Sequence, residues 1–262
     1  MNFLKKYFQN SFYLSITILG SLLFLFSCNK QTLETFQTEP LTNFYPLQVG
    51  KYLTYRVDST VFINFGRTEA IRKYQIRHTI DAQITDNLGR PSFRILRTIR
   101  DSAGTQNWIA SGTYIITPLD FSIEVVEENL RYIKMVLPIK TKYKWKGNKY
   151  IPTNPYNSLY NLSNDDNMND WDYVYDNIQS STNINGKTYN NVYTIEQINE
   201  SINVPIVSAS SYAALTRSVE KYAKNIGLVY RELTMWEYQP NPGGPSPYKI
   251  GFGIKMWLID NN

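Results

Sequence analysis

Arg72-Lys73-Tyr74-Gln75-Ile76-Arg77-His78-Thr79-Ile80-Asp81-Ala82-Gln83-Ile84-Thr85 decides the fold class. Tyr74, Ile76, His78, Ile80, Ala82 and Ile84 fall on one side, and Lys73, Gln75, Arg77, Thr79, Asp81, Gln83 and Thr85 on the other. Period two held over a dozen residues is the pattern of a strand in a sheet wet on one face. Asp86-Asn87-Leu88-Gly89-Arg90-Pro91 supplies turn chemistry, and Phe93–Arg100 reads as the returning strand. Asp101-Ser102-Ala103-Gly104 turns the chain again. Trp108–Thr117 continues the meander, and Leu119–Val126 pairs with Leu130–Leu137 across Glu127-Glu128-Asn129.

Working outward, Tyr45-Pro46-Leu47-Gln48-Val49-Gly50 leads into a first strand in which Leu53, Tyr55 and Val57 alternate with Tyr52, Thr54 and Arg56. Lys140, Lys142, Lys144 and Lys146 alternate with Thr141, Tyr143 and Trp145, so the stretch reads as a strand with one lysine face. The polar segment 151–170 is long for a connection, and loops of that length are uncommon without a function or local disorder. Trp171–Ile178 and Lys187–Ile198 form a strand pair turning near Asn185-Gly186. Ser208–Tyr222 reads as the one helix, with Tyr212, Leu215, Val219 and Tyr222 at helical spacing and Gly227 beyond. Ser218–Tyr222 also fits a strand. Leu228–Tyr238 is extended, and Lys249–Ile259 closes the chain, with Gly251 and Gly253 suggesting a bend or bulge.

The expected fold is therefore mainly β: a curved antiparallel meander of about ten strands forming a partial or closed barrel, with at most one substantial helix. The 21 Tyr and 12 Phe agree with pleated, half-buried surfaces.

The N-terminus carries an address. Lys5 and Lys6 precede an apolar run from Phe12 to Phe26, about 15 residues and shorter than the ~20 that span a bilayer. The run ends in Leu25-Phe26-Ser27-Cys28, which resembles the lipobox of bacterial lipoproteins. That resemblance implies cleavage before Cys28 and a diacylglycerol on its sulfur with a further acyl chain on its amine. Several acyl chains hold a protein to a membrane where one would bind only marginally. The division follows: 1–27 signal peptide, 28–43 acylated Cys and flexible tether, 44–262 a single β-rich domain. The net charge of +5 falls to +3 once Lys5 and Lys6 leave, too little for a nucleic-acid partner. With its only Cys acylated the mature chain has no disulfide to form.

Tyr45-Pro46-Leu47-x-x-Gly50, Trp145-x-Gly147 and Tyr222-Ala223-Lys224-Asn225-Ile226-Gly227-Leu228-Val229 resemble envelope lipoproteins of Bacteroidota-type bacteria. The strand pattern is more loosely similar to half-barrel carriers of lipids or lipoproteins. The resemblance implies an envelope lipoprotein with a curved sheet and brings no catalytic residues. The sequence after Cys28 lacks Asp at the next position and lacks an acidic cluster. The expected location is the outer membrane, with periplasmic and surface facings both open. An integral membrane barrel is disfavoured by the lipid anchor and by the ending Asp260-Asn261-Asn262.

Each candidate site has a plain alternative. His78, the only histidine, sits on the apolar face and reads first as a core residue. No G-x-S-x-G elbow supplies a nucleophile for it, and one His without a free Cys does not build a zinc shell. Lys140, Lys142, Lys144 and Lys146 could meet lipid phosphates or acidic glycans, against the simpler reading of a charged edge strand. Asp165-x-Asn167-x-Asn169 with Asp176 imitates the start of a Ca²⁺ loop but has Asp170 where Gly is needed. The tryptophans Trp108, Trp145, Trp171, Trp236 and Trp257 are expected mostly in the core. No metal or cofactor is expected. The leading reading is a non-catalytic envelope lipoprotein that holds an apolar or amphipathic ligand against Tyr74, Ile76, His78, Ile80 and Ile254, or that serves in an envelope assembly. A surface glycan-binding module is the alternative, and a hydrolase the least favoured. The partners so implied are the membrane through Cys28, a lipid or glycan ligand, and an envelope protein complex.

Overall fold

The Arg72–Thr85 alternation becomes the body of the longest strand of the protein, β2 (Thr68–Thr85), in a computed structural model that describes residues 39–164, 167–241, 244 and 246–262. Cys28 and the whole signal segment lie outside the described residues, as does Asp165 of the calcium-like loop. Around β2 run β1 (Tyr52–Ile63), β3 (Pro91–Asp101), β4 (Ile109–Pro118), β5 (Ser122–Glu127) and β6 (Leu130–Val136). After β7 (Lys144–Lys146) come β8 (Asp172–Ile184), β9 (Lys187–Ile202), β10 (Ala213–Ala223), β11 (Gly227–Gln239) and β12 (Tyr248–Asn261). Twelve strands thus stand among the described residues where about ten were expected, the smallest only three residues long.

The strands form one antiparallel sheet in the order β6-β5-β4-β3-β2-β1-β12-β11-β10-β9-β8-β7. Every neighbour in sequence is a neighbour in space except β6 and β7, and the first and last strands pair with each other. The sheet curls into a nearly closed barrel whose one seam lies between β6 and β7. The Ile133 amide donates to the Gly147 carbonyl at 2.8 Å, and Trp145 Nε1 donates to the Ile133 carbonyl at 2.8 Å. Tyr175 Oη accepts from the Val136 amide at 3.1 Å and lies 2.7 Å from the Val136 carbonyl. Two aromatic side chains thus occupy the bonding groups that a free edge would expose.

Inward-facing residues are mainly apolar, and the outward row of β2 is charged or polar apart from exposed Ile71. That polarity is the reverse of the apolar outer band a bilayer barrel presents. One end is plugged by the N-terminal segment. Leu41–Asn43 forms a 3-10 turn with Leu41 buried, and Phe44 is fully buried with its ring 4.2 Å from that of Tyr193. The Asn225 amide donates to the Asn43 carbonyl at 2.6 Å. At the other end the segments 147–164 and 167–170 lie over the opening.

Three expectations need correction. Ala213–Ala223 is a strand hydrogen-bonded on both sides, so no helix spans Ser208–Tyr222. Tyr222 points inward while Leu215 packs against the outer cluster of Ala213, Trp236 and Tyr238. Burial on both faces erases alternation, and the remaining apolar positions fell at helical spacing by coincidence. The expected strand over Lys140–Lys146 shrinks to Lys144–Lys146, because Lys142 adopts φ +66°. Of the bend or bulge expected at Gly251 and Gly253, the bulge is absent, since the ladder between β11 and β12 is unbroken there. Gly251, at φ +113°, instead lets the Met235 carbonyl approach where a Cβ would stand. The Asn185-Gly186 turn is as expected, with φ +48° and +84°.

Candidate functional site

The barrel interior is not completely filled. A cavity of roughly 390 Å³ lies between the curved sheet and the covering segment that contributes Tyr156, Leu159, Tyr160 and Met168. Register places its walls. Arg231 faces Met256, which faces Val57; one step nearer the covering segment, Leu233 faces Ile254; one further, Met235 faces Phe252. Side chains of successive inward positions therefore stack in layers along the barrel axis.

The covering segment closes the upper layer. Ile151, Leu162 and Met168 are buried anchors, and the short helix α1 (Asn157–Tyr160) lies between them. The rings of Tyr156 and Tyr160 each sit 5.1 Å from that of Phe252. Buried Glu237 ties the far side down: its Oε1 accepts from the Ser163 amide at 2.6 Å, Ser163 Oγ at 2.7 Å and the Asn164 amide at 2.8 Å. The described residues of the long polar segment that stood out in the sequence form the cover of this cavity.

The deeper layer is ionic. Lys134 Nζ donates to Glu220 Oε1 at 2.9 Å, and Arg231 Nε donates to the same oxygen at 2.8 Å. Arg231 Nη1 also reaches Glu127 Oε2 at 3.3 Å, and Arg97 Nη1 reaches Glu127 Oε1 at 2.8 Å. Tyr222 Oη donates to Glu220 Oε2 at 2.7 Å, and Tyr45 Oη lies 2.6 Å from Tyr222 Oη. Burial raises the Glu220 carboxyl, but Lys134, Arg231 and the Tyr222 hydroxyl outweigh it and hold the group at about 2. Burial works in the same sense on Glu127, where Arg231, Lys134 and Arg97 prevail and lower it. Glu128 also pairs with Arg97, but from the rim, where its side chain is 70% exposed.

His78 stands opposite Arg97 on β2 and β3. Its Nδ1 is 3.1 Å from Tyr114 Oη, and its ring lies 5.1 Å from that of Tyr55. Burial, helped by Arg231 and Arg97 against Glu127, lowers the imidazole to about 3, so it is neutral near pH 7. A group so acidic when protonated is a weak proton acceptor at that pH.

Of the residues expected to line a concave face, Ile76, His78 and Ile254 line the cavity. Ile80 lines a smaller pocket of about 60 Å³ beneath it, shared with His78 and Arg231. Tyr74 instead packs against the cluster of Tyr55, Val57 and Met256. The lysine row lies elsewhere. Lys142 pairs with Asp176 at 2.6 Å, Lys144 with Asp172 at 3.6 Å, and Lys146 with Asp172 and Asp170 at 2.8 and 2.9 Å, while Lys140 is exposed. Trp171 and Trp236 are buried and Trp145 closes the seam. Trp108 is half-buried on the outer face, with the Arg77 and Arg100 guanidinium groups 4.8 and 4.2 Å from its ring.

Arg97, Glu127, Lys134, Glu220 and Arg231 gave no signal of a shared site in the sequence. Each is a polar residue in a strand, and only register brings five strands' contributions together. Lys134 carried the one local hint, standing between the apolar pairs Tyr132-Ile133 and Met135-Val136.

No family model matches the chain, and no curated protein matches it. Among solved structures, a Bacteroides fragilis protein described as exported, with a YmcC-like fold, is 12% identical, at TM-score 0.35 over 82% of this chain and 96% of its own. A DUF1329 family protein from Desulfovibrio piger is 13% identical, at TM-score 0.20 over 86% and 93%. An outer-membrane lipoprotein-sorting protein domain from Vibrio parahaemolyticus is 12% identical, at TM-score 0.18 over 82% and 85%. At these scores the likenesses carry no argument about function.

Proposed function

We propose that the chain is a non-catalytic envelope lipoprotein, anchored through Cys28, that holds one apolar or amphipathic small molecule inside its barrel. The observation that carries the binding role is the covered cavity of roughly 390 Å³, within the range of about 300–1,000 Å³ usual for small-molecule sites. Its upper wall of Leu233, Phe252, Ile254 and the rings of Tyr156 and Tyr160 is apolar, and packed cores do not ordinarily leave a void of this size. The lipobox resemblance supports the anchor. Purified full-length protein, extracted with organic solvent, is expected to release about one small amphiphile per chain. Ile254→Trp, which fills the cavity, is expected to release none. Equal extraction from both forms would sink the reading.

A second reading rests on the outer face. Arg100, Gln75, Arg56, Trp257, Tyr230 and Lys221 lie in one cross-strand row over six strands, beside Trp108. Aromatic faces adjoining guanidinium and ammonium groups suit an acidic glycan. Retention on an anionic polysaccharide column that is lost in Trp108→Ala would favour this role.

A further inference from the structure

Three carboxylates, Glu127, Glu128 and Glu220, line the cavity with three cations, but only Glu127 and Glu220 are buried with them, so the buried charges do not balance. The deep layer holds three cations, Arg97, Lys134 and Arg231, against two carboxylates, Glu127 and Glu220. Glu128 reaches Arg97 only from the exposed rim, where water screens it. His78 faces the same layer as a neutral ring. An uncompensated charge away from water is costly unless something pairs with it. Two buried donors point the same way: Arg97 Nε and Gln197 Nε2 have no hydrogen-bond partner among the described residues, and both residues line the cavity. Gln197 Oε1 is already taken by Ser218 Oγ at 2.5 Å. Such donors are ordinarily satisfied, by protein, water or ligand.

The layers also give a direction. The ionic layer lies deep, beside Tyr222 and His78, while Leu233, Ile254 and Phe252 lie between it and the cover. Roughly 390 Å³ is at the small end of ligand sites, room for one chain rather than several. From this we infer that the ligand is a single-chain amphiphile with an anionic head, a carboxylate or a phosphate. The head lies inward on Arg97, Lys134 and Arg231, and the tail runs outward under Tyr156 and Tyr160. The inference rests on the interior-binding reading and adds the sign of the head, its orientation and the number of chains.

The test uses full-length protein in a neutral maltoside detergent and four photoreactive sixteen-carbon probes, bearing a carboxylate, a phosphate, a hydroxyl or a trimethylammonium head. Each carries its reactive group at the tail end, and labelled peptides are mapped by mass spectrometry. The expected result is labelling of the 151–164 cover by one or both anionic probes, at affinities at least tenfold above the alcohol and the cation. Whichever anion binds more tightly identifies the source of the head group. Arg97→Met is expected to abolish that preference while the alcohol still binds, and Ile254→Trp to block every probe. Equal binding of all four, a preference for the cation, or labelling near Tyr222 in place of the cover overturns the inference and leaves interior binding standing. Failure of every probe to label the interior overturns both.

Discussion

Lys134 Nζ stands 2.9 Å from Glu220 Oε1, joining β6 to β10 across the barrel interior with both side chains nearly inaccessible to water. Glu220 also receives Arg231 and Tyr222, so it is the hub and Lys134 one spoke. Removing one member of a buried ion pair strands the other, at a cost of about 3–5 kcal/mol. Glu220→Ala is expected to lower unfolding stability by that amount in urea titrations. Lys134→Met is expected to cost less, because Glu220 keeps Arg231 and Tyr222. A larger loss for Lys134→Met than for Glu220→Ala would refute this ranking.

Acid sensitivity is expected to begin well above the usual carboxylate range. Burial lowers His78 to about 3 in the folded protein against 6.5 in the unfolded chain. Between those values the unfolded state binds the extra proton. Stability is therefore complete above pH 6.5 and falls as pH drops toward 3, approaching ~1.4 kcal/mol per pH unit for one proton. Glu220, held at about 2 against 4.5, adds a loss of the same sign only below pH 4.5. The window from 6.5 to 4.5 thus isolates the histidine. His78→Gln is expected to flatten the pH dependence of the urea midpoint there.

The barrel seam depends on a missing side chain. A Cβ at Gly147 would overlap the Tyr173 ring, and Tyr173 is buried. Gly147→Ala is expected to cost about 1–3 kcal/mol through overpacking. It is also expected to speed hydrogen exchange at the Ile133 amide, which donates to the Gly147 carbonyl. Unchanged exchange at Ile133 would show that the seam does not rely on this contact.

Three donors from Ser163 and Asn164 converge on one oxygen of Glu237. Glu237→Ala is expected to loosen the cover while leaving the sheet's ladders intact. Limited proteolysis should then cut within 155–165 at least severalfold faster, and dissociation of any bound amphiphile should quicken in step. Faster cutting in the β2–β3 turn as well would indicate general destabilisation.

The sequence by itself determined the sheet. Where one face of a strand meets the core and the other meets water, side-chain period and burial period coincide. The alternation over Arg72–Thr85 is therefore legible, as is the Asn185-Gly186 turn, whose backbone demands few other residues. It also singled out 151–170 as unusually long, with a function or local disorder both open, and placed Ile76, His78 and Ile254 on an inward face. Tertiary structure alone decided the rest. Ala213–Ala223 is covered on both sides, so its pattern carries no period to read. The pairing of Lys142, Lys144 and Lys146 with aspartates of β8 and its approach depends on register. So does the meeting of Arg97, Glu127, Lys134, Glu220 and Arg231, which come from five strands and whose bonded pairs are separated by up to 104 residues, between Glu127 and Arg231. A charge in a strand looks the same in sequence whether it faces water or another charge. Only the closing of the sheet determines which, because closure turns one face of every strand toward a shared interior.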